Sequence, residues 1–368
     1  MQAWTEKTVN GVKLRYGNEG LVAKNAADVP RVLNEHGVAV LFNVLNKKEC
    51  EAMRDGAWKT AQTLLPNLNR DDPSTYKEMA KLRPHHGGLI QWHGWAHSQY
   101  VWDVRTNTQV IAPFKHIYGV KADELRVSYD GINFGLGYKE YDGHWKLHID
   151  QDFAPGKAGV FCCVQSWVTS EPVDVGDATL RCYPGSHKLH GDFSRHFHLG
   201  ASKSRKSDWF QLSRGDVKTK YIKWYTETHG MIDTCITCPA GSMVFWDSRT
   251  VHSGIERLPM PGHERNMRNL SYVCYLPAEQ CKDRVQMRKD AFDPKSDLFM
   301  RTFSHWPNEM RPFDKYPPER RDGNRVPDSQ LAEKWKWLPQ LPPPVFKSDF
   351  ELRVAGLLDE TNTTVTSP

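Results

Sequence analysis

Residues 26–37, AADVPRVLNEHG, carry apolar side chains at helical spacing and stop on a glycine. The β-rich run VAVLFNV (38–44) follows, and KKECEAMRDGAWKTAQTLL (47–65) returns to a long helical period. A further helix is expected over QVIAPFKHIYG (109–119). From RVSYDGINF (126–134) the pattern changes to short β-rich runs punctuated by glycine, proline and aspartate. These runs are AGVFCCVQSWVT (158–169), ATLRCY (178–183), SMVFWD (242–247), TVHSG (250–254) and NLSYVCY (269–275). Helices first and many short strands afterwards read as a sandwich or jelly roll with helices outside it. Nine of the 23 prolines fall between 303 and 346, so that stretch cannot be regular throughout and is read as a wrap over the core. One short helix is expected in KSDFELRVAGLLD (347–359), then a frayed tail, TNTTVTSP. The expected layout is a helical layer with one core strand over 1–125, belonging to the same domain as a β-core over 126–302, and a Pro-rich wrap and tail over 303–368.

Composition narrows the class. With 39% hydrophobic and 25% charged residues, most of the 368-residue chain has the makeup of a folded globule, which excludes general disorder. Apolar runs such as VAVLF (38–42) and SMVFW (242–246) fall far short of the ~18 residues of a membrane span, so no membrane partner is expected. The first twenty residues lack the basic start and apolar stretch of a secretory signal, and the chain ends Val-Thr-Ser-Pro rather than in a peroxisomal or reticulum address. An intracellular, cytoplasmic location is therefore expected. Eight cysteines, two of them adjacent and several in strand-like runs, read as buried reduced thiols rather than a disulfide framework. The net charge of +5 suits an anionic small molecule at least as well as nucleic acid, which gains only faint support from it.

The sharpest chemical feature is HWKLHIDQDF (144–153), where His148 and Asp150 stand two apart and would leave the same face of a strand. Such a pair can share a metal ion. His252, in AGSMVFWDSRTVHSG (240–254), offers a third ligand from a strand that could return across the same place 104 positions later. Two histidines and one carboxylate make the facial triad of non-haem Fe(II) oxygenases, with three coordination positions left open. At this level His144 remains an alternative ligand, and a His148 that merely hydrogen-bonds a neighbour remains an alternative role.

Four blocks in order resemble the phytanoyl-CoA dioxygenase-like branch of the Fe(II)/2-oxoglutarate-dependent oxygenases: GVAVLFNVLNKKECEAM, HIDQDF, ATLRCYPGSHK (178–188), and AGSMVFWDSRTVHSG with RNLSYVCY, together spanning 37–275. The resemblance implies a double-stranded β-helix of jelly-roll type, with His148, Asp150 and His252 as iron ligands. It also assigns Arg268 to the C5 carboxylate of 2-oxoglutarate, a role that suits a planar guanidinium fork. Arg265 is the rival, because the sixteen residues from His252 to Arg268 exceed the spacing expected of many members. Trp167 and Ser253 are weaker co-substrate candidates, with core packing the alternative for Trp167.

By the same resemblance the cofactors are Fe(II), 2-oxoglutarate and O2, with ascorbate as an accessory reductant. The implied reaction hydroxylates an unactivated C–H bond of a small-molecule substrate and releases succinate and CO2. Halogenating relatives lack the carboxylate ligand, so Asp150 favours hydroxylation. The competing readings are an oxygenase acting on a peptide side chain or nucleic acid, and a jelly-roll binding protein without turnover.

The remaining motifs read more plainly. His187 in the PGSH turn is structural or pocket-lining, and Cys235 and Cys238 form a lone CxxC without a matching pair for zinc. The aromatic- and histidine-rich stretch 83–105 is either a substrate wall, with Gln91, His93 and Tyr100 on the substrate side, or an outer layer packed on the core. The basic stretch PPERRDGNR (317–325) reads as a solvated face. Glycosylation-like triplets at Asn269 and Asn362 have no role inside a cell.

Overall fold

A computed structural model describes residues 2–9, 12–85, 88–137, 146–154, 156–199, 209–212, 220–258, 267–321 and 324–358. Numbered along the chain, the first strands are β1 (Thr5–Val9), β2 (Val12–Gly17), β3 (Val22–Ala23), β4 (Val38–Leu41), β5 (Leu89–Ile90), β6 (Leu125–Val127) and β7 (Ile132–Leu136). They continue with β8 (His148–Ile149), β9 (Val164–Thr169), β10 (Thr179–Cys182), β11 (Phe210–Gln211), β12 (Thr234–Ile236), β13 (Met243–Asp247), β14 (His252–Ile255) and β15 (Met267–Pro277). The chain divides into two compact units, Met1–Asn46 with Leu136–Arg268, and Lys47–Gly135 with Asn269–Pro368. Strand pairing accounts for the first unit's make-up, since its N-terminal strands hydrogen-bond to strands more than 150 residues further on.

In the first unit, one sheet runs β1-β2-β12-β10-β14-β8-β11, and a second row runs β3-β4-β13-β9. The expected class holds, a mainly β core of jelly-roll type with helices around it. The stretch before 125 nevertheless carries several strands rather than one. The run TEKTV of β1 opens on four polar residues and shows no apolar alternation, yet it pairs with β2, which buries Leu14 and Tyr16 and lies parallel to β12. The 158–169 run becomes a strand only at Val164, its first half being turn and loop.

Helix α1 (Val29–His36) buries Val29, Val32 and Leu33 at i, i+3 and i+4 and ends where Gly37 adopts φ 69°. The Gly37 amide donates to Leu33 O at 2.7 Å, closing the last turn. A side chain at Gly37 would collide with the His187 ring and come within 2.7 Å of Thr250 Oγ1, so glycine is required for space as well as for φ. The Gly37 carbonyl accepts from Thr250 Oγ1 and from the Asp247 amide, both at 2.9 Å, which locks the turn leading into β14.

The second unit holds α2 (Lys47–Leu64), α3 (Gln99–Arg105) and α4 (Thr108–Tyr118), with β7 between β5 and β15, and β6 on β15. Helix α2 buries Cys50, Met53, Ala57, Trp58, Ala61 and Leu64, the three-and-four spacing of one apolar stripe. Helix α4 is capped by the Asn107 side chain and stopped by Gly119 in the left-handed region. The buried Arg288 donates to the carbonyls of Val127, Ala355 and Pro307, tying the short helix Asp349–Ala355 to β6. Among the described residues between 303 and 346 there is one small strand pair, Arg320–Arg321 with Asn324–Arg325, and one short helix, Asp328–Lys334, in otherwise irregular chain, as the prolines require. The tail TNTTVTSP lies outside the described residues. All eight cysteines are free, and no described helix is long and apolar enough to cross a membrane.

Burial holds several imidazoles neutral. It lowers the pKa of His93 and His190 to about 4, and that of His97 to about 3 with the Arg105 charge assisting. In the unfolded chain each titrates near 6.5, so between these values the unfolded state binds more protons. This contribution is complete above about pH 7 and is lost as pH falls from about 6.5 to about 4 for His93 and His190 and to about 3 for His97. Thermal melts followed by circular dichroism are expected to show Tm falling by more than about 5 °C across that window. A flat profile would contradict the buried neutral histidines.

Candidate metal centre

His148 opens the two-residue strand β8, and His252 opens β14, which pairs with β8 so that the two histidines are direct cross-strand partners. Asp150 lies in the bend just past β8 rather than on the strand, yet its carboxylate still turns to the histidine face. Its Oδ2 is 3.3 Å from His252 Nε2, and its Oδ1 is 3.7 Å from His148 Nε2. One ligand atom from each of the three residues lies within 4.8 Å of the others. Octahedral bonds of about 2.1 Å put neighbouring donor atoms about 3 Å apart, so the cluster is close to the size a small cation needs.

The ring protons say more. His148 Nδ1 is 2.6 Å from Lys146 O, and His252 Nδ1 is 2.9 Å from Thr250 O. A carbonyl oxygen can only accept, so both Nδ1 atoms carry hydrogen and donate, and in the neutral rings both Nε2 atoms present lone pairs. No ring proton then sits between either Nε2 and the carboxylate. Two imidazole lone pairs and a carboxylate facing one another are a donor set for a divalent ion, with the backbone fixing the tautomers. The residues fit such an ion.

The surroundings hold this set in place. Gln165 on β9 donates from Nε2 to Asp150 Oδ2 at 3.1 Å. Its cross-strand partner Trp246 on β13 brings its ring to 5.4 Å from that of His252. The fully buried Gln151, next to Asp150, accepts from Ser248 Oγ at 2.7 Å and donates to the carbonyls of Lys157 and Val160, both at 2.7 Å. The Gln151 carbonyl accepts from His190 Nε2 at 3.2 Å, while His190 Nδ1 accepts from the Gly159 amide at 3.0 Å. One glutamine thus joins the chain beside the carboxylate to the loop after it and to the turn before His252. Neither Gln165 nor Gln151 stood out in the sequence, since an isolated glutamine carries no motif.

Other expected residues fall as follows. Trp167 shares the β9 face of Gln165, is 1% exposed, and its indole N–H has no hydrogen-bond partner among the described residues. Ser253 follows His252 on β14, so strand alternation sends it to the opposite face of the sheet, away from the triad. Arg268 is half-buried at the start of β15, and its charge opposes the burial that pushes the Cys238 thiol up to about 12. His144 and Arg265 lie outside the described residues. His187 is buried with Nε2 3.2 Å from Asn34 O, in keeping with a structural role. Burial pushes Cys235 as well up to about 12, which does not favour a thiolate zinc ligand. His93 and Tyr100 are buried within the second unit on its own partners, His93 Nε2 3.2 Å from Leu82 O and Tyr100 Oη accepting from Trp95 Nε1 at 2.7 Å; Gln91 is half-buried there.

The family model described as Phytanoyl-CoA dioxygenase (PhyH) matches residues 33–256. A curated protein of Aspergillus versicolor, Ava biosynthesis cluster protein O, is 24% identical over 291 residues, covering 75% of this chain and 90% of that protein. Among solved structures, GlcNAc Inducible Gene 2 (GIG2, DUF1479) of Candida albicans aligns over 95% of this chain and 80% of its own, at 13% identity and a TM-score of 0.57, a likeness of fold. The epimerase SnoN, solved with Fe3+, alpha ketoglutarate and nogalamycin RO, aligns over 69% of this chain and 84% of its own at 15% identity and a TM-score of 0.41.

Gln151→Met removes the acceptor of Ser248 and the donor to two loop carbonyls while keeping the volume. A loss of about 2–4 kcal/mol in denaturant unfolding is expected, with earlier proteolytic cleavage at 157–160. A loss below about 0.5 kcal/mol would mean the network does not brace the site.

Proposed function

The chain belongs to the phytanoyl-CoA dioxygenase family of 2-oxoglutarate-dependent oxygenases, and from that premise we propose that it hydroxylates an unactivated C–H bond of a small-molecule substrate at a centre built on His148, Asp150 and His252. The observation that carries this reading is the tautomer pair: both Nδ1–H groups are directed to carbonyls, so both Nε2 lone pairs face the Asp150 carboxylate. Iron(II) with 2-oxoglutarate supplies the oxidation, O2 giving one oxygen atom to the substrate and one to succinate as CO2 leaves.

The chain's own residues divide the remaining work. His148, Asp150 and His252 would hold the ion, as three protein ligands that leave coordination capacity for the co-substrate and O2. Gln165 fixes the second carboxylate oxygen. The buried Trp167 indole N–H, without a hydrogen-bond partner among the described residues, would donate to a carboxylate oxygen of 2-oxoglutarate, and the Arg268 fork would be the counterion for its C5 carboxylate. The buried Trp246 ring, 5.4 Å from that of His252, would shield that side of the centre from water. Relatedness to a biosynthesis cluster protein supports a small molecule over a macromolecule as substrate.

Anaerobic titration of the Fe(II)-loaded protein with 2-oxoglutarate is expected to raise the weak visible charge-transfer band of the chelate. His148→Ala and His252→Ala should abolish iron binding with the circular dichroism spectrum intact. Arg268→Ala should raise the half-saturating 2-oxoglutarate about tenfold or more while iron stays bound. Iron binding without a response to 2-oxoglutarate, or full activity in a histidine variant, overturns the reading. Gln165→Leu is expected to weaken metal binding about tenfold by calorimetry.

A further inference from the structure

We propose that Trp209 is a specificity-determining residue of this site, a stacking wall that selects substrates with a flat, apolar ring face. The proposal rests on the reading of the triad as the metal centre. Among the described residues strand β11 is the last in its sheet, paired to β8 with Phe210 opposite Ile149 and Gln211 opposite His148. Extending that register by one residue sets Trp209 opposite Asp150, and alternation puts Trp209 and Gln211 on the face from which His148 projects. Phe210 and Ile149 take the other face and join the buried cluster with Phe153, Phe193 and Tyr225.

The two faces therefore differ in kind. Phe210 is 4% exposed, whereas Trp209 beside it is 40% exposed, one of few large apolar side chains in that state among the described residues. Its ring centroid lies 5.7 Å from that of His148, tilted by 47°. The exposed part of the Trp209 ring contributes nothing to folding, and its location beside a ligand ring, at the edge of the sheet among the described residues, gives that surface a use. An indole offers a broad π-face, which prefers flat rings over flexible chains of equal apolar area. Gln211 adds an amide on the same face, suited to a polar substituent on such a ring.

The test uses the full chain loaded with Zn(II) and 2-oxoglutarate, with coumarin as a neutral flat probe and 1-hexanol as a flexible one, both followed by saturation-transfer NMR. Coumarin is expected to bind the native protein, about five- to tenfold more weakly to Trp209→Ala, and nearly as well to Trp209→Phe. Neither substitution should alter 1-hexanol binding. With Mn(II) in place of Zn(II), the coumarin resonances should broaden in the native protein, placing the probe near the ion. Failure of coumarin to bind, equal affinity for Trp209→Ala, or absence of broadening overturns the proposal. The Fe(II)/2-oxoglutarate band, measured on the same variants, separates this failure from that of the oxygenase reading: a normal band with unchanged coumarin binding removes the wall and leaves the centre standing. An absent band in the native protein removes the centre, and the proposal with it.

Discussion

Where two imidazole protons go sets what this site can do. His148 and His252 each direct Nδ1–H to the carbonyl of the residue two places earlier, Lys146 and Thr250. Had either ring been turned over, a proton would sit on the nitrogen facing Asp150, and the three groups would form an ordinary hydrogen-bonded cluster. With both protons turned outward in the neutral rings, the cluster presents electron pairs that a divalent cation can accept together. The strand pairing, the buried glutamines and the glycine-capped helix all serve that arrangement.

They serve it through a short series of contacts. Gly37 ends α1 and, having no side chain, lets Thr250 and His187 approach; the Gly37 carbonyl holds Thr250 Oγ1, and the Thr250 carbonyl orients His252. On the other flank, Gln151 joins the backbone beside Asp150 to Ser248, four residues before His252. The two ligand segments are thus braced against each other independently of the ion. Protein contacts thus fix the donor atoms relative to one another, which lowers the reorganisation needed on binding.

Much of this was legible in the sequence, and the parts that were not share a cause. Helices α1, α2 and α4, the strands around 164–169, 179–182, 243–247 and 252–255, and the three donor residues follow from periodicity, punctuation and a short motif. The N-terminal strands were not legible, because β1 is polar at four of its five positions and owes its conformation to β2 and, through it, to β12 more than 200 residues away. Ser253 was adjacent to the motif but is turned from the triad by strand alternation, a fact that needs the register. Gln165, Gln151 and Trp209 act through spatial neighbours, and no local pattern distinguishes them from any other glutamine or tryptophan. Sequence reading found the atoms that would bind the ion; it could not find the atoms that hold those atoms.

The acceptors of the two ring protons belong to the main chain, and this has an evolutionary consequence. Replacing Lys146 or Thr250 by another residue leaves its carbonyl in place, so ordinary substitution cannot delete either acceptor. The orientation of both imidazoles is therefore buffered against drift at the very positions that enforce it. Residues around the edge of the site, Trp209 among them, carry no such duty and are open to change. A lineage could exchange one substrate for another at the rim while the oxidising centre is inherited unaltered.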